Sequence, residues 1–268
     1  MSATFDPRQC SIAADELAGR VIAVTGASDG IGRAVAIECA RHGASVILVG
    51  RSERKLSGVL AEIEALPEDR RDSTIAVLDL EHALAQDYDR LSDAVLERFG
   101  RLDGLVHNAA LLGTLSPIEH YDVPTWCRVL HVNLTAAFAL TQVLLPALKR
   151  SSDASVLFTS SGVGRRGKAY WGAYAVSKFG VEGLAQVLAA ELSDITAVRV
   201  NVINPGATRT RMRAQAYPAE NPAGLPEPAA VTHAYLALLG PAGRGVTGAS
   251  FDAQPAVPPR AASAAPPR

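Results

Sequence analysis

Tyr174 and Lys178 are the two residues in this sequence whose types and spacing most directly suggest chemistry. They lie in a stretch predicted to be a helix over about residues 172–193, and residues four apart share one helix face. A free phenol titrates near about pH 10, and a neighbouring ammonium would lower that pKa. The pair could therefore exchange an oxygen-bound proton as a general acid and base. The same spacing also occurs by chance on helix surfaces, so the pair alone identifies nothing.

A glycine-rich segment, Thr25-Gly26-Ala27-Ser28-Asp29-Gly30-Ile31-Gly32, could hold a diphosphate. Glycine lets the backbone turn sharply and approach phosphate, and the following helix presents free N–H groups and its positive end. Any strand–helix turn can use glycine, but this one lies directly between a buried strand and a helix, which is typical of dinucleotide binding. The candidate cofactor-binding residues here are Thr25, Gly26, Ser28, Asp29, Gly30, Ile31 and Gly32.

A repeated alternation of strands and helices would position these residues. Continuous apolar runs predict strands over 21–26, 45–50, 74–80, 102–109, 154–161 and 197–206. Apolar faces at helical spacing predict helices over 30–42, 52–66, 87–99, 124–149 and 172–193, with Ser52 as an N-cap. Strands alternating with helices of this length imply parallel, right-handed units. We expect an α/β, Rossmann-type doubly wound parallel sheet of about seven strands, with helices on both faces.

The chain is expected to form a single domain. No linker interrupts the alternation, so one dinucleotide-binding domain is placed at 18–254. Residues 1–17 are interpreted as an N-terminal extension. Residues 255–268, rich in Pro and Ala and without apolar period, are interpreted as a flexible tail.

The composition excludes several classes of protein. The chain has 268 residues, 48% of them apolar, and a net charge of -1, which gives no signature for nucleic acid or an anionic membrane. No signal peptide and no run of about 18 apolar residues is evident, so we expect no membrane segment and a cytoplasmic location. Scattered Cys10, Cys39 and Cys127 suggest reduced thiols, and the histidines show no metal-ligand spacing, so no metal is expected.

The Gly-x-x-x-Gly-x-Gly spacing of residues 26–32 resembles the short-chain dehydrogenase/reductase family. The resemblance spans about residues 18–252, with six motifs in the family's order. Several stretches, among them ASDGIG, FTSSGVG and NPGATRT, are similar to the YciK-like bacterial subgroup, for which no substrate is implied.

This resemblance implies a catalytic set of Asn133, Ser161, Tyr174 and Lys178. Ser161, thirteen residues before Tyr174, would orient the substrate oxygen, with Ser160 as the alternative. Asn133, a poor helix former within a predicted helix, would kink that helix and hold a water that relays protons to Lys178. A core-facing asparagine is the alternative for Asn133.

The resemblance also implies cofactor contacts after other strands. Asp79 and Leu80 would hold the adenine, although a turn aspartate at a strand end is common. Asn108 and Ala109 would approach the cofactor ribose, and Lys178 would bond the nicotinamide ribose together with Tyr174. In this motif His107 and Ala110 depart from the family's usual Asn and Gly. The turn that would hold the carboxamide contains Pro205, Gly206, Thr208 and Thr210.

Arg51 bears on the choice of cofactor. The second strand ends in Gly50 where NAD-specific relatives would carry a carboxylate, and Arg51 could pair with a 2′-phosphate. Asp29 argues the other way, because many NADP-using relatives carry a basic residue there, and Arg51 could also be a solvated surface residue. We expect NADP(H) to be favoured, with NAD(H) as the alternative.

The predicted activity is hydride transfer between nicotinamide C4 and a carbonyl or secondary alcohol of a small molecule, by a homodimer or homotetramer. A cofactor-binding regulatory or scaffold protein on the same fold is one alternative, and a lyase or epimerase is another. A short lid over 211–227 with few bulky apolar residues favours a small or exposed substrate over a sterol-like one. Basic residues near the site could steer an anionic substrate or could simply be solvated: Arg165, Arg166, Lys168, Arg209, Arg211 and Arg213.

Overall fold

A seven-stranded, entirely parallel sheet forms the centre of the computed structural model, which describes residues 5–67 and 72–255. The strand order is β3-β2-β1-β4-β5-β6-β7. The strands are β1 Val21–Thr25, β2 Ser45–Gly50, β3 Thr74–Val77, β4 Gly104–His107, β5 Ala154–Thr159, β6 Val198–Asn204 and β7 Ser250–Asp252. The helices are α1 Gly30–Arg41, α2 Glu53–Glu64, α3 Ala85–Phe99, α4 Val123–Leu130, α5 Ala136–Lys149, α6 Gly172–Leu192, α7 Arg211–Ala216 and α8 Thr232–Leu239.

Helices cover both faces of the sheet, which confirms the predicted doubly wound fold. On one face α3, α5 and α6 bury side chains such as Leu91, Leu144 and Val181 against the strands. On the other face α1, α2 and α8 pack around Leu48 and Tyr235. Because both faces are buried, the central strands are apolar throughout rather than alternating.

The register places β1 at the point where the strand order reverses. Val24 of β1 lies opposite Leu48 of β2 on one side and Val106 of β4 on the other. In open parallel sheets the loops at the carboxyl ends diverge at such a point and leave a crevice for a ligand. The fold therefore opens a cleft directly above the glycine-rich segment.

All six strands predicted by residue range are present, and most are shorter than predicted. The single helix expected over 124–149 contains a π-helical turn, His131–Thr135, between α4 and α5. Ser52 stands at the N-cap of α2, but its side chain makes no capping hydrogen bond. Helix α8 and strand β7 were not predicted as individual elements, because α8 is apolar on every side and β7 is only three residues long.

The structure describes most of the predicted N-terminal extension but little of the predicted C-terminal tail. Within the N-terminal extension Leu17 is fully buried, and Phe5 packs edge-on against Phe251. Most of the predicted tail, residues 256–268, lies outside the described residues. The boundaries 1–17, 18–254 and 255–268 stay predictions.

The continuous helix Val123–Lys149 is long and apolar enough to cross a membrane by length and composition, which the sequence analysis did not expect. The core helix of a globular protein can have the same length and apolar composition. Leu140, Leu144 and Leu148 of this helix are fully buried in the cluster beneath the sheet. We therefore interpret it as a core helix.

Helices α5 and α6 also leave apolar side chains in solvent. Phe138, Val176, Phe179 and Val187 are each 45–58% exposed. These exposed apolar side chains are candidates for an interface, and the homodimer or homotetramer expected from the sequence stays a prediction.

We predict that Phe179→Glu lowers the mass in solution to that of one chain, because a carboxylate would be desolvated between two apolar helix faces. Size-exclusion chromatography with light scattering measures the change. Ile195→Glu is the matched control, since Ile195 is 72% exposed just after α6 and should leave the mass unchanged. A wild-type protein of single-chain mass would contradict the prediction.

Candidate active site

A cleft of about 400 Å³ opens at the carboxyl ends of the strands. It brings together most of the predicted cofactor-binding residues with Tyr174 and Lys178. Those lining it are Gly26, Ser28, Asp29, Gly30, Ile31, Arg51, Asp79, Leu80, Asn108, Ala109, Tyr174, Lys178, Pro205 and Thr210. Ser161, Gly206 and Thr208 line an adjoining cavity that shares Tyr174 and Thr210 with the cleft. Thr25, Gly32 and Asn133 line neither and lie behind the walls.

Glycine is required at two positions of the first loop, because the loop backbone packs closely against Asn108 and Ala109. Gly26 has a φ of +66°, and a Cβ there would lie 3.0 Å from the Cα of Ala109. A Cβ on Gly32 would lie 2.4 Å from both Asn108 Nδ2 and the Gly26 carbonyl oxygen. Side chains are thus excluded where the loop meets Asn108, and the backbone stays open to the cleft.

Thr25 joins the ends of β1 and β4. Its hydroxyl oxygen accepts hydrogen bonds from the backbone N–H of Asn108 (3.0 Å) and of Ala109 (3.1 Å). The hydroxyl lies 3.3 Å from the Val106 carbonyl, to which it donates. Thr25 therefore holds the two loops of the cleft at a fixed separation, and its direct contact with a cofactor stays a prediction.

Charged residues line the part of the cleft above β1, β2 and β3. Asp29 caps α1 by accepting from the Gly30 N–H at 2.8 Å, and the Arg211 guanidinium lies 3.6 Å from its carboxylate. Asp79 accepts from the Glu81 N–H at 3.1 Å. Arg51 is exposed at the rim and, among the described residues, forms no ion pair. A cationic side chain is therefore free to bind an anion in this part of the cleft.

Tyr174 and Lys178 lie on one face of α6, as their spacing predicts. The Lys178 ammonium lies 5.7 Å from the centre of the Tyr174 ring and donates to the Thr159 carbonyl oxygen at 2.7 Å. Thr159 ends β5, so the backbone of the sheet fixes the position of the lysine. The exposed fractions are only 8% for Tyr174 and 2% for Lys178.

The expected lowering of the Tyr174 pKa by Lys178 is wrong for this structure. Burial raises the pKa of Tyr174 to about 12, and a hydrogen bond with Ser161 only partly opposes the rise. Burial also lowers the pKa of Lys178 to about 8, against the charge of Glu182, which raises it. The phenol is consequently protonated at neutral pH.

The two candidate serines differ in their surroundings. Ser161 lines the adjoining cavity together with Tyr174 and partly opposes the rise in the pKa of the phenol. Ser160 is 2% exposed, and its hydroxyl has no hydrogen-bond partner among the described residues. This arrangement favours Ser161 as the residue that meets a substrate oxygen together with Tyr174, a role that stays a prediction.

Asn133 lies in the π-helical turn and connects three segments. Its Oδ1 accepts from the Leu111 N–H at 2.7 Å, and its Nδ2 donates to the Leu111 carbonyl at 2.9 Å. The same Nδ2 lies 3.0 Å from the Ser177 hydroxyl, which in turn donates to the Tyr174 carbonyl at 2.7 Å. The irregular turn agrees with the expected kink, while the water relay stays a prediction.

The turn after β6 is held by a residue that the sequence analysis did not select. Gln254 Nε2 donates to the carbonyl oxygens of Pro205 (2.7 Å) and Ala207 (2.9 Å). Gly206 has a φ of +75° in this turn. The Thr210 hydroxyl accepts from the Arg213 N–H at 3.1 Å and so caps α7. The partners of Gln254 in this turn lie 47–49 positions earlier in the chain, beyond the reach of a local motif.

An apolar pocket adjoins the cleft beside Tyr174, and we call it the substrate-side cavity. Its walls include Leu112, Val163, Trp171, Met212 and Tyr217. The lid was expected to offer few bulky apolar side chains, and its Met212 and Tyr217 nevertheless pack against Trp171 and Tyr174. No signal in the local sequence pairs these residues, because α7 and the start of α6 are far apart in the sequence.

Most of the basic residues near the site carry their own counter-ions. Arg165 pairs with Glu182 (3.2 Å) and Asp252 (2.8 Å), so the hypothesis that it steers substrate is not supported. Arg209 pairs with Glu227 at 2.8 Å, and Arg213 binds Glu220 through two hydrogen bonds of 2.6 Å. Lys168 lines the substrate-side cavity and has no ion pair within the described part of the chain.

Comparison with known proteins gives this chain its family. A family model described as short chain dehydrogenase matches residues 20–221, so the chain belongs to the short-chain dehydrogenase family of oxidoreductases. The uncharacterized oxidoreductase YciK of Escherichia coli (strain K12) is 47% identical over 251 residues, 94% of this chain and 96% of that protein. The family resemblance stated from the sequence is confirmed.

Two solved structures extend the comparison. A short chain dehydrogenase from Pseudomonas syringae is 52% identical, with a TM-score of 0.90 over 94% of this chain and 100% of that chain. A short chain dehydrogenase from Shigella flexneri 2a str. 301, complexed with NADP, is 47% identical, with a TM-score of 0.86 over 91% of this chain and 100% of that chain.

Proposed function

We propose that the protein is an NADP(H)-dependent oxidoreductase that interconverts a carbonyl group and a secondary alcohol of a small molecule. The observation that carries the proposal is the placement of a buried phenol, Tyr174, at the junction of the cleft and the substrate-side cavity. A pure binding protein needs no such phenol beside a serine and a buried lysine.

The cleft fits a nicotinamide dinucleotide. Its glycine loop lines the cleft directly before the N-terminus of α1, where free backbone N–H groups can bind a diphosphate. We propose that this loop and the N-terminus of α1 hold the diphosphate, that Asp79 holds the adenine, and that Lys178 and the turn with Thr208 hold the nicotinamide half. When bound, the cofactor supplies the hydride.

Residues of the chain itself would transfer the proton to the substrate oxygen. Tyr174 donates its phenolic proton to the carbonyl oxygen in the direction of reduction, and Ser161 donates a hydrogen bond that orients that oxygen. The Lys178 ammonium favours the phenolate that this transfer leaves behind. Asn133 keeps α6 in position through Ser177, so it acts on the reaction through other residues.

We predict that Tyr174→Phe lowers kcat for NADPH-dependent carbonyl reduction by about 10²–10⁴-fold, the usual contribution of a general acid. Fluorescence titration should show NADPH binding within about twofold of the wild type. Tyr170→Phe is the control, because Tyr170 is 61% exposed and lines neither the cleft nor the cavity. Full turnover by Tyr174→Phe would refute the mechanism. Tight NADPH binding by the wild type, without oxidation by any of a broad panel of carbonyl compounds, would favour a regulatory binding protein.

We predict that kcat/KM for reduction falls as the pH rises above about 8, because Lys178 then loses the ammonium that supports proton transfer. Tyr174, with a pKa of about 12, stays protonated across this range and does not account for the fall. Lys178→Arg should be slower but should move the fall to higher pH, since a guanidinium keeps its charge. A wild-type profile that stays flat well above that pH would contradict the assignment.

We propose that NADP(H) is preferred because Arg51 is free to pair with a 2′-phosphate. The related Shigella flexneri structure is complexed with NADP, which supports the proposal. Arg51→Gln should reduce the preference for NADPH over NADH in kcat/KM about tenfold, since a hydrogen bond to a charged group contributes about 1.5–3 kcal/mol. NADH rates are the internal control. An unchanged preference would show that Arg51 is only a solvated surface residue.

A further inference from the structure

We propose that the substrate of this enzyme carries an acidic group, which binds Lys168 at the far end of the substrate-side cavity. The proposal rests on the proposed function, because it concerns the molecule whose carbonyl meets Tyr174. It specifies a carbonyl compound in which a short, flat apolar body separates the carbonyl from a negatively charged group.

The aromatic walls of the cavity set the shape of that body. The Trp171 ring lies 5.8 Å from the Tyr174 ring and 5.8 Å from the Tyr217 ring, measured between centroids. Met212 and Leu112 add apolar surface to the same cavity. A substrate that places its carbonyl at Tyr174 must therefore lie along Trp171, which favours a body about one aromatic ring long.

The charges of the cavity are unbalanced. Among the described residues its charged lining consists of Lys168 and Arg213, and no carboxylate lines it. Arg213 is neutralised by two hydrogen bonds of 2.6 Å to Glu220. Lys168 has no carboxylate within ion-pair distance in the described ranges. One uncompensated positive charge therefore faces the space that the substrate must enter.

Lys168 is exposed, yet its ammonium is held in place. It donates to the Tyr217 hydroxyl at 2.7 Å and lies 4.9 Å from the Tyr217 ring centre and 5.5 Å from that of Trp171. Both contacts are within the range of cation–π attraction. An ammonium has three donors, so donors remain for a carboxylate or a similar acidic group. A cation fixed before binding loses less conformational entropy when an anion arrives.

The test uses two aldehydes of the same shape and different charge, 4-formylbenzoate and its methyl ester, each with NADPH. Lys168→Met should reduce the preference for the acid over the ester in kcat/KM about tenfold, with the ester rate changed less than about twofold. Arg166→Met is the control, since Arg166 is an exposed cation of the same loop that lines neither the cleft nor the cavity. Both of its rates should match the wild type.

Two kinetic outcomes would overturn the proposal. Equal losses on acid and ester in Lys168→Met would mean that Lys168 only supports the aromatic wall. A wild type that reduces the ester as well as the acid would show that the cavity does not select charge.

A binding measurement separates this proposal from the proposed function. In a Trp126→Phe background, quenching of Trp171 fluorescence would follow the binding of monomethyl terephthalate and of its neutral dimethyl ester. Tighter binding of the acid, lost in Lys168→Met, would support the proposal even if neither aldehyde were reduced, and the proposed function would then fail alone. Equal affinities for the two compounds would overturn the proposal even where reduction is observed.

Discussion

The position of Tyr174 relative to the cleft depends on the hydrogen bonds that Asn133 makes with the backbone of Leu111. Leu111 belongs to the loop that begins with Asn108, which packs against the glycine cradle. Through the Ser177 hydroxyl the same amide is linked to the carbonyl of Tyr174. One buried side chain thus connects the glycine loop and Tyr174. Leaving one of these buried amide groups without a partner would cost about 1–3 kcal/mol. The arrangement in which Asn133 makes all of its hydrogen bonds is therefore strongly favoured over one in which any of them is missing.

Burial governs the proton chemistry more strongly than pairing does. A phenol and an ammonium one helical turn apart would suggest mutual stabilisation of their charged forms. In this fold the ammonium donates to the Thr159 carbonyl instead, and burial moves the two pKa values in opposite directions. Both shifts favour the neutral forms. The resting phenol is therefore protonated, and under the proposed function Lys178 would stabilise the phenolate as it forms.

The features that could be predicted from the sequence are those that follow from the local periodicity of apolar residues and from the order of the motifs. Apolar runs located six strands, and the glycine spacing located the cradle above β1. Features that depend on distant partners were not predictable in this way. Gln254 reaches the turn after β6 across 47–49 positions of sequence, and Arg165 finds Asp252 across 87. Helix α8 was missed because a helix buried on all sides shows no amphipathic period.

The ion pairs around the mouth of the site determine how a charged substrate could be recognised. Arg165, Arg209 and Arg213 each have a carboxylate partner, so the long-range field that an approaching anion meets is weak. A charged substrate must then be distinguished from a neutral one by direct contact with the site. Lys168 lies against aromatic walls that exclude water from one side of its ammonium, and a charge there is screened less than one in open solvent. Under the proposed function, an anionic substrate would therefore reach the site by diffusion and would be selected by a single cation, Lys168, at the far end of the substrate-side cavity.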